Sequence, residues 1–312
     1  MSHNVAFVTG ATGSQGSAVA RLLLELGWTV RATARKMESP AAKRLQDQGA
    51  EVSPGDWDNE AVIREVISGC THVFMNLVPN ITTFTSEVPA AKRIIDIAKT
   101  AGVKHMIYSS GMAIKDMEKD KYHDPEHPVV RAHGWKKEVE NLVKDAGFET
   151  WTILRGGFFM CNFLAPKVNV MCSGLVASNK WSTAYTPEEE LPVMDVEDLA
   201  KFAVASFREP NRFNRQTIEI ASEKLSPDEI MQQLGEASGK PLKAVYLTDE
   251  EIEVKKNEDI FVAVQLMSRG LGDKVNIGEV EGWGIPLTTF KEFLERERSW
   301  VESTFASCAI RA

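Results

Sequence analysis

At 312 residues, with 26% of them charged and a formal net charge of −8, the chain is long enough for one large globular unit or a domain with an appended lobe. The acidic balance and the lack of a basic block disfavour a surface that tracks nucleic-acid phosphates, and the longest apolar runs fall far short of a membrane span. Cys70, Cys161, Cys172 and Cys308 follow no pairing or ligand spacing and read as reduced thiols; with a strand expected from Val5 and no lipidation or peroxisomal signature, a cytoplasmic protein is expected.

Val5 to Gly27, VAFVTGATGSQGSAVARLLLELG, holds an apolar strand, then Gly10, Gly13 and Gly16 at three-residue spacing, then an amphipathic helix. That order is a nucleotide phosphate site. Positions without side chains let backbone N–H groups approach a pyrophosphate, and the helix turns its positive N-terminal end to the same anion. The next strand, Thr29–Ala34, ends where a dinucleotide site reads the adenosine ribose. Recognition of the 2′-hydroxyl of NAD uses an acid about 20 residues after the glycines. Here Arg35 occupies that position with Lys36 beside it, and no acid comes until Glu38. A guanidinium grips a 2′-phosphate bidentately, for about 1.5–3 kcal/mol per charged hydrogen bond. The pattern therefore favours NADP(H) over NAD(H).

Further along, helices are predicted over Ser39–Gln48, Asn59–Ile67, Ser86–Ala101 and Val129–Ala146. Strands are predicted over Ala50–Ser53, His72–Leu77, Lys104–Ser109 and Thr150–Leu154. This alternation predicts an α/β fold, a Rossmann-type doubly wound parallel sheet with helices on both faces. The regular rhythm fails after Arg155. The expected division is a dinucleotide-binding domain over residues 1–155 and a smaller C-terminal α/β lobe over 156–312, with some segments returning to the sheet. That lobe is expected to form the substrate pocket, since ligands in such folds bind beyond the carboxyl ends of the strands.

GATGSQG, Arg35, GDWDN at Gly55–Asn59, AAKRIIDIAKTAGVKHMIYSS at Ala90–Ser110, KKEVENLV and WTILRGGFFMCNF together resemble the NmrA-like branch of the atypical short-chain dehydrogenase/reductases. The resemblance is good over the first 165 residues and loose beyond. It implies an extended Rossmann fold with NADP(H) bound between the sheet and the small lobe. By position it assigns Gly10, Thr12, Gly13, Ser14, Gln15 and Gly16 to the pyrophosphate loop, Arg35 to the 2′-phosphate with Lys36 beside it, and Asp56 and Trp57 to the adenine. It puts Asn76, Leu77 and Val78 at the ribose and nicotinamide, closed over by Lys92 and by Phe159 to Asn162. The family contains reductases and redox-sensing regulators, so membership alone does not decide function.

Standard short-chain dehydrogenases pair a tyrosine with a lysine four residues on, which lowers the phenol pKa for proton transfer. The four tyrosines of this chain, Tyr108, Tyr122, Tyr185 and Tyr246, are followed at that spacing by Met112, Glu126, Glu189 and Glu250. The corresponding helix reads RAHGWKKEVENL. Lys136 lies at the edge of its apolar stripe and Lys137 further round, towards solvent. Lys136 is therefore preferred as the lysine that touches the nicotinamide ribose, with Lys137 in reserve. His133 and Ser109 are candidates to polarise a substrate; Tyr108 faces away from Ser109 along the strand. His123, Asp124, Glu126 and His127 in YHDPEHP invite a metal reading, but Pro125 and Pro128 break the helix that would align them and no second cluster completes a site. Phe158, Phe159, Met160, Phe163 and Trp181 form an aromatic patch whose loops would line a pocket for an apolar, ring-bearing molecule.

The expected function is an NADPH-dependent reductase of an activated C=O, C=C or C=N bond in a hydrophobic small molecule. Two alternatives stay open: an NADP(H)-sensing regulator that docks on a protein partner, and an NADP(H)-bound enzyme of non-redox cyclisation or condensation.

Overall fold

A computed structural model of the chain describes residues 4–78, 85–119 and 123–306; Tyr122 and Cys308 lie outside them. The first elements are β1 (Val5–Val8), α1 (Ser14–Glu25), β2 (Thr29–Ala34), α2 (Pro40–Asp47), β3 (Glu51–Pro54), α3 (Glu60–Ile67), β4 (His72–Met75) and α4 (Val88–Thr100). Then come β5 (His105–Gly111), α5 (Pro128–Asp145), β6 (Thr150–Gly156), β7 (Phe158–Phe159), α6 (Val168–Met171), α7 (Leu175–Ser178) and β8 (Lys180–Thr183). They are followed by β9 (Leu191–Met194), α8 (Val196–Arg208), α9 (Pro210–Phe213), β10 (Gln216–Ile220), β11 (Glu223–Leu225), α10 (Pro227–Ser238) and β12 (Lys243–Tyr246), with short helices after these.

Side chains cap the helices where the sequence provides them. Ser39 accepts a hydrogen bond from Ala42 N ahead of α2, and Asn59 accepts one from Val62 N ahead of α3, using donors that a first helical turn leaves open. α1 differs. Its N-cap is Gly13, which offers no side chain, and no acid stands in its first turn.

The chain divides into two compact units. One comprises residues 1–114, 131–155 and 196–218; the other comprises 115–130, 156–195 and 219–312. The division is discontinuous, since 115–130 leaves the N-terminal stretch and α8 with most of β10 joins it. The seven-stranded sheet runs β10-β6-β5-β4-β1-β2-β3, and β3, β2, β1, β4 and β5 pair in parallel. This is the doubly wound α/β arrangement that the strand–helix rhythm predicts. The strand order reverses at β1 and β4, the place where such sheets leave a crevice for ligands. Phe7, Val73, Met75, Met106 and Tyr108 alternate onto one face and pack with Ile63, Ile94, Val139 and Val143. On the other face His72 lies 4.5 Å from His105, 4.7 Å from Trp28 and 5.0 Å from Phe207, ring centre to ring centre.

The second unit holds a three-stranded sheet, β11-β9-β7, and a two-stranded one, β12-β8. Its core is aromatic: Phe163 lies 5.7 Å from both Trp181 and Phe290, and Trp181 lies 6.1 Å from Tyr185. The patch expected at a ligand is therefore divided. Met160, Phe163 and Trp181 are buried in this unit's own core, whereas Phe158 and Phe159 are half-buried. In the YHDPEHP segment, Asp124 accepts from Glu126 N and His127 Nδ1 from Val129 N, so these two side chains shape a turn and the start of α5. Among the described residues no group of three or more His, Cys, Asp or Glu is placed to hold a metal. No described helix is long and apolar enough to cross a membrane. Cys70, Cys161 and Cys172 are buried thiols, and Cys161 Sγ accepts from Lys167 Nζ at 3.4 Å.

Candidate dinucleotide site

The turn after β1 is tight because Gly10 and Gly16 exclude side chains and Gly13 leaves little room for one. Gly10 has φ +61°, in the region that favours glycine, and its carbonyl accepts from Gly13 N at 2.8 Å. A Cβ on Gly16 would collide with that Gly10 carbonyl. Thr9 fastens the loop to the end of β4: its hydroxyl accepts from Asn76 N at 2.6 Å and donates to Asn76 O at 3.0 Å. Asn76 is thereby held beside Gly10. The result is a bare backbone cradle that runs into an uncapped helix N-terminus, which fits a pyrophosphate. Gln15 and Ser109 meet here, the Ser109 hydroxyl donating to Gln15 Oε1 at 2.6 Å.

Arg35 and Lys36 follow β2 and are exposed. Arg35 is 79% exposed, with Nε 3.9 Å from Asp56 Oδ2, so its guanidinium can turn to a ligand without breaking a close pair. Asp56 accepts from Trp57 N at 2.7 Å, and Trp57 O accepts from Arg93 at 2.9 Å. This fixes the loop after β3 and leaves Trp57 half-buried against the core. Arg35, Asp56 and Trp57 thus share one corner of the unit. A cavity of ≈ 170 Å³, lined among others by Thr12, Ser17, Arg21, Arg44 and Glu197, lies on the α1–α2 side of the glycine loop. Neither Arg93 nor Arg44 is singled out by the sequence, because each sits on a helix among other charged residues.

At the opposite end, Leu77 is buried and Val78 is 61% exposed. Lys136 reaches inward from α5. Its Nζ donates to Leu77 O at 3.2 Å, lies 3.5 Å from Glu87 Oε1 and sits 5.8 Å over the Tyr108 ring. Burial pulls the Lys136 pKa down, and the Glu87 carboxylate opposes that fall. Lys137 is half-buried, less exposed than its place on the helix stripe predicts. His133 is half-buried too, and burial followed by the Lys136 charge lowers its pKa to about 4. It is therefore a neutral imidazole at neutral pH, able to donate a hydrogen bond but carrying no extra proton. Lys92 is exposed and pairs with Glu138 at 3.1 Å. Phe159 and the buried Asn162 belong to the second unit. Glu87 escapes a reading of the sequence, since an acid at the head of a helix resembles an ordinary dipole complement.

A model of the NmrA-like family matches residues 2–295. The chain belongs to the NmrA-like family. The match runs well past residue 165, so the C-terminal lobe is part of the family likeness. An NmrA-like family domain-containing oxidoreductase, himF, of Aspergillus japonicus is 30% identical over 254 residues, covering 77% of this chain and 75% of that protein. An NAD(P)H azoreductase of Xenophilus azovorans is 29% identical over 248 residues, covering 78% and 77%. Among solved structures, the negative transcriptional regulator NmrA in complex with NADP superimposes with a TM-score of 0.70 at 21% identity, covering 98% of this chain and 96% of that one. At that identity the likeness concerns the NmrA-like fold.

Proposed function

We propose that this NmrA-like protein is an NADP(H)-dependent reductase that reduces an activated C=O, C=C or C=N bond in a hydrophobic, ring-bearing small molecule. The observation that carries this reading is the inward Lys136 ammonium at the Leu77 carbonyl, in the unit that also bears the side-chain-free cradle of Gly10, Gly13 and Gly16. The oxidoreductase and NAD(P)H azoreductase relatives support an NAD(P)H-dependent reductase.

In this reading Gly10, Thr12, Gly13, Ser14, Gln15 and Gly16 hold the pyrophosphate, and Arg35 with Lys36 holds the 2′-phosphate. Asp56 and Trp57 flank the adenine. Asn76, Leu77, Val78 and Lys136 border the ribose and nicotinamide, with Lys92 closing that end. The reduced nicotinamide, when bound, supplies the hydride. Lys136 orients the ribose, and neutral His133 donates a hydrogen bond to the acceptor. Ser109 is a weaker candidate for polarising the acceptor, because its hydrogen is already given to Gln15. A positioned proton donor contributes about 10²–10⁴-fold, so without a tyrosine–lysine pair the acceptor must be easily reduced. Such acceptors include quinones, enones and cyclic imines.

The test is a single-turnover trace of NADPH absorbance against a panel of quinones, azo dyes, enones and cyclic imines, with products read by mass spectrometry. Oxidation of NADPH matched by reduced product is expected. A new isomer with NADPH unchanged would replace the proposal with non-redox catalysis, and tight binding without chemistry would replace it with a sensor.

A further inference from the structure

Beneath Lys136 lies a group that the proposed roles leave unused. Glu87 stands at the head of α4 with its side chain fully buried, and among the described residues neither carboxylate oxygen accepts a hydrogen bond. The Tyr108 hydroxyl is likewise buried without a hydrogen-bond partner among the described residues. Burial raises the Glu87 pKa against the pull of Lys136, and holds the Tyr108 phenol well above its ordinary value. A buried carboxylate with no hydrogen bonds is costly. As a device for stability alone, it would be surpassed by apolar packing of the same volume.

We infer that Glu87 is a positioning residue, which holds the Lys136 ammonium charged and aimed at the Leu77 carbonyl. As a claim about function, this rests on the reading of Lys136 as a cofactor-facing group. The surrounding charges single out Glu87. Lys136 faces Glu87 from α4, Tyr108 from β5, and His133 and Glu140 from its own helix. Glu140 is already engaged by Arg155 of β6 and by Lys144, and Glu138 is engaged by Lys92. Among the described residues Glu87 is left as the facing carboxylate whose cation is Lys136. Without its charge, burial would drive the lysine toward its neutral form, and a neutral amine is a poorer donor to a ribose hydroxyl or a carbonyl.

The test titrates the full-length protein carrying isotopically labelled lysine by NMR, with Lys136→Gln identifying the Lys136 signal. In Glu87→Gln, which keeps shape and removes charge, Lys136 should lose its proton about one pH unit or more lower than in the parent. The basic limb of NADPH affinity, read by fluorescence, should move the same way. Glu87→Asp keeps the charge but withdraws it by a methylene, so it should fall between the two, and it serves alone if the glutamine variant does not fold. An unmoved Lys136 titration in a folded variant would overturn the inference. A moved titration with NADPH affinity untouched by Lys136→Gln would sustain the Glu87–Lys136 pairing and overturn the cofactor role of Lys136 itself.

Discussion

Arg35 and Lys136 carry the two ends of the proposed cofactor site by different physics. Arg35 acts as a solvent-exposed charge, its Nε 3.9 Å from Asp56 Oδ2. Arg35→Asp should therefore weaken NADPH binding by about 10-fold or more, in line with one or two lost charged hydrogen bonds, and leave NADH binding less affected. Fluorescence titrations with both nucleotides measure this, and equal losses would remove the 2′-phosphate role. Lys136 acts as a half-buried donor aimed at the Leu77 carbonyl. Lys136→Ala should cost far more in nicotinamide-end binding and in any turnover than Lys137→Ala, and steady-state kinetics of the two variants would expose the reverse order. Helical periodicity separates the two lysines in the sequence, because adjacent residues on a helix point about 100° apart, and in the structure Lys136 Nζ donates to Leu77 O. Glu87 was not legible, since only the fold carries it from the head of α4 to the lysine on α5.

Among the elements, α5 and β6 are joined by a buried clamp. Glu140 is 1% exposed, and both of its oxygens accept from Arg155, each at 2.9 Å. Burial alone would raise the Glu140 pKa, and the guanidinium overrides it and holds the carboxyl below its usual range. Breaking such a pair strands a charge in the interior. Arg155→Ala should lower unfolding free energy by about 3–5 kcal/mol, read as a lower midpoint in urea; a loss under about 1 kcal/mol would show the pair to be screened like a surface one. The strands and helices up to β6 were readable within a residue or two because each carries its own period and turn signals. β10 was not singled out: Gln-Thr-Ile-Glu-Ile is short, and its place beside β6 is fixed by distant contacts such as Arg215 N donating to Trp151 O at 2.8 Å.

For the whole molecule, the buried His72 and half-buried His105 set a pH response. Burial and then the His105 charge lower the His72 pKa to about 3, and burial lowers His105 as well. Both are lower in the folded chain than in the unfolded one, so the unfolded state takes up more protons below about pH 6.5. Their contribution is complete above that pH and is lost progressively towards pH 3. For His72 the loss should reach about 2 kcal/mol by pH 5. The melting temperature should therefore fall between pH 7 and pH 5, before most carboxylates titrate, and His72→Gln should flatten the fall. A variant with the parent's slope would show that His72 does not set it.

The discontinuous first unit also bears on how the chain is made. Its sheet edge and α8, which ion-pairs to α1 through Glu197 and Arg21, come from residues 196–218. On the ribosome, the strands around the glycine loop emerge early but must wait through the 40 residues 156–195 before the segment that carries that edge begins. During that interval β6 presents an unpaired flank, the kind of surface on which nascent chains misassociate. Synthesis rate and chaperone supply, and not final stability alone, should then bear on how much of this protein a cell recovers in native form.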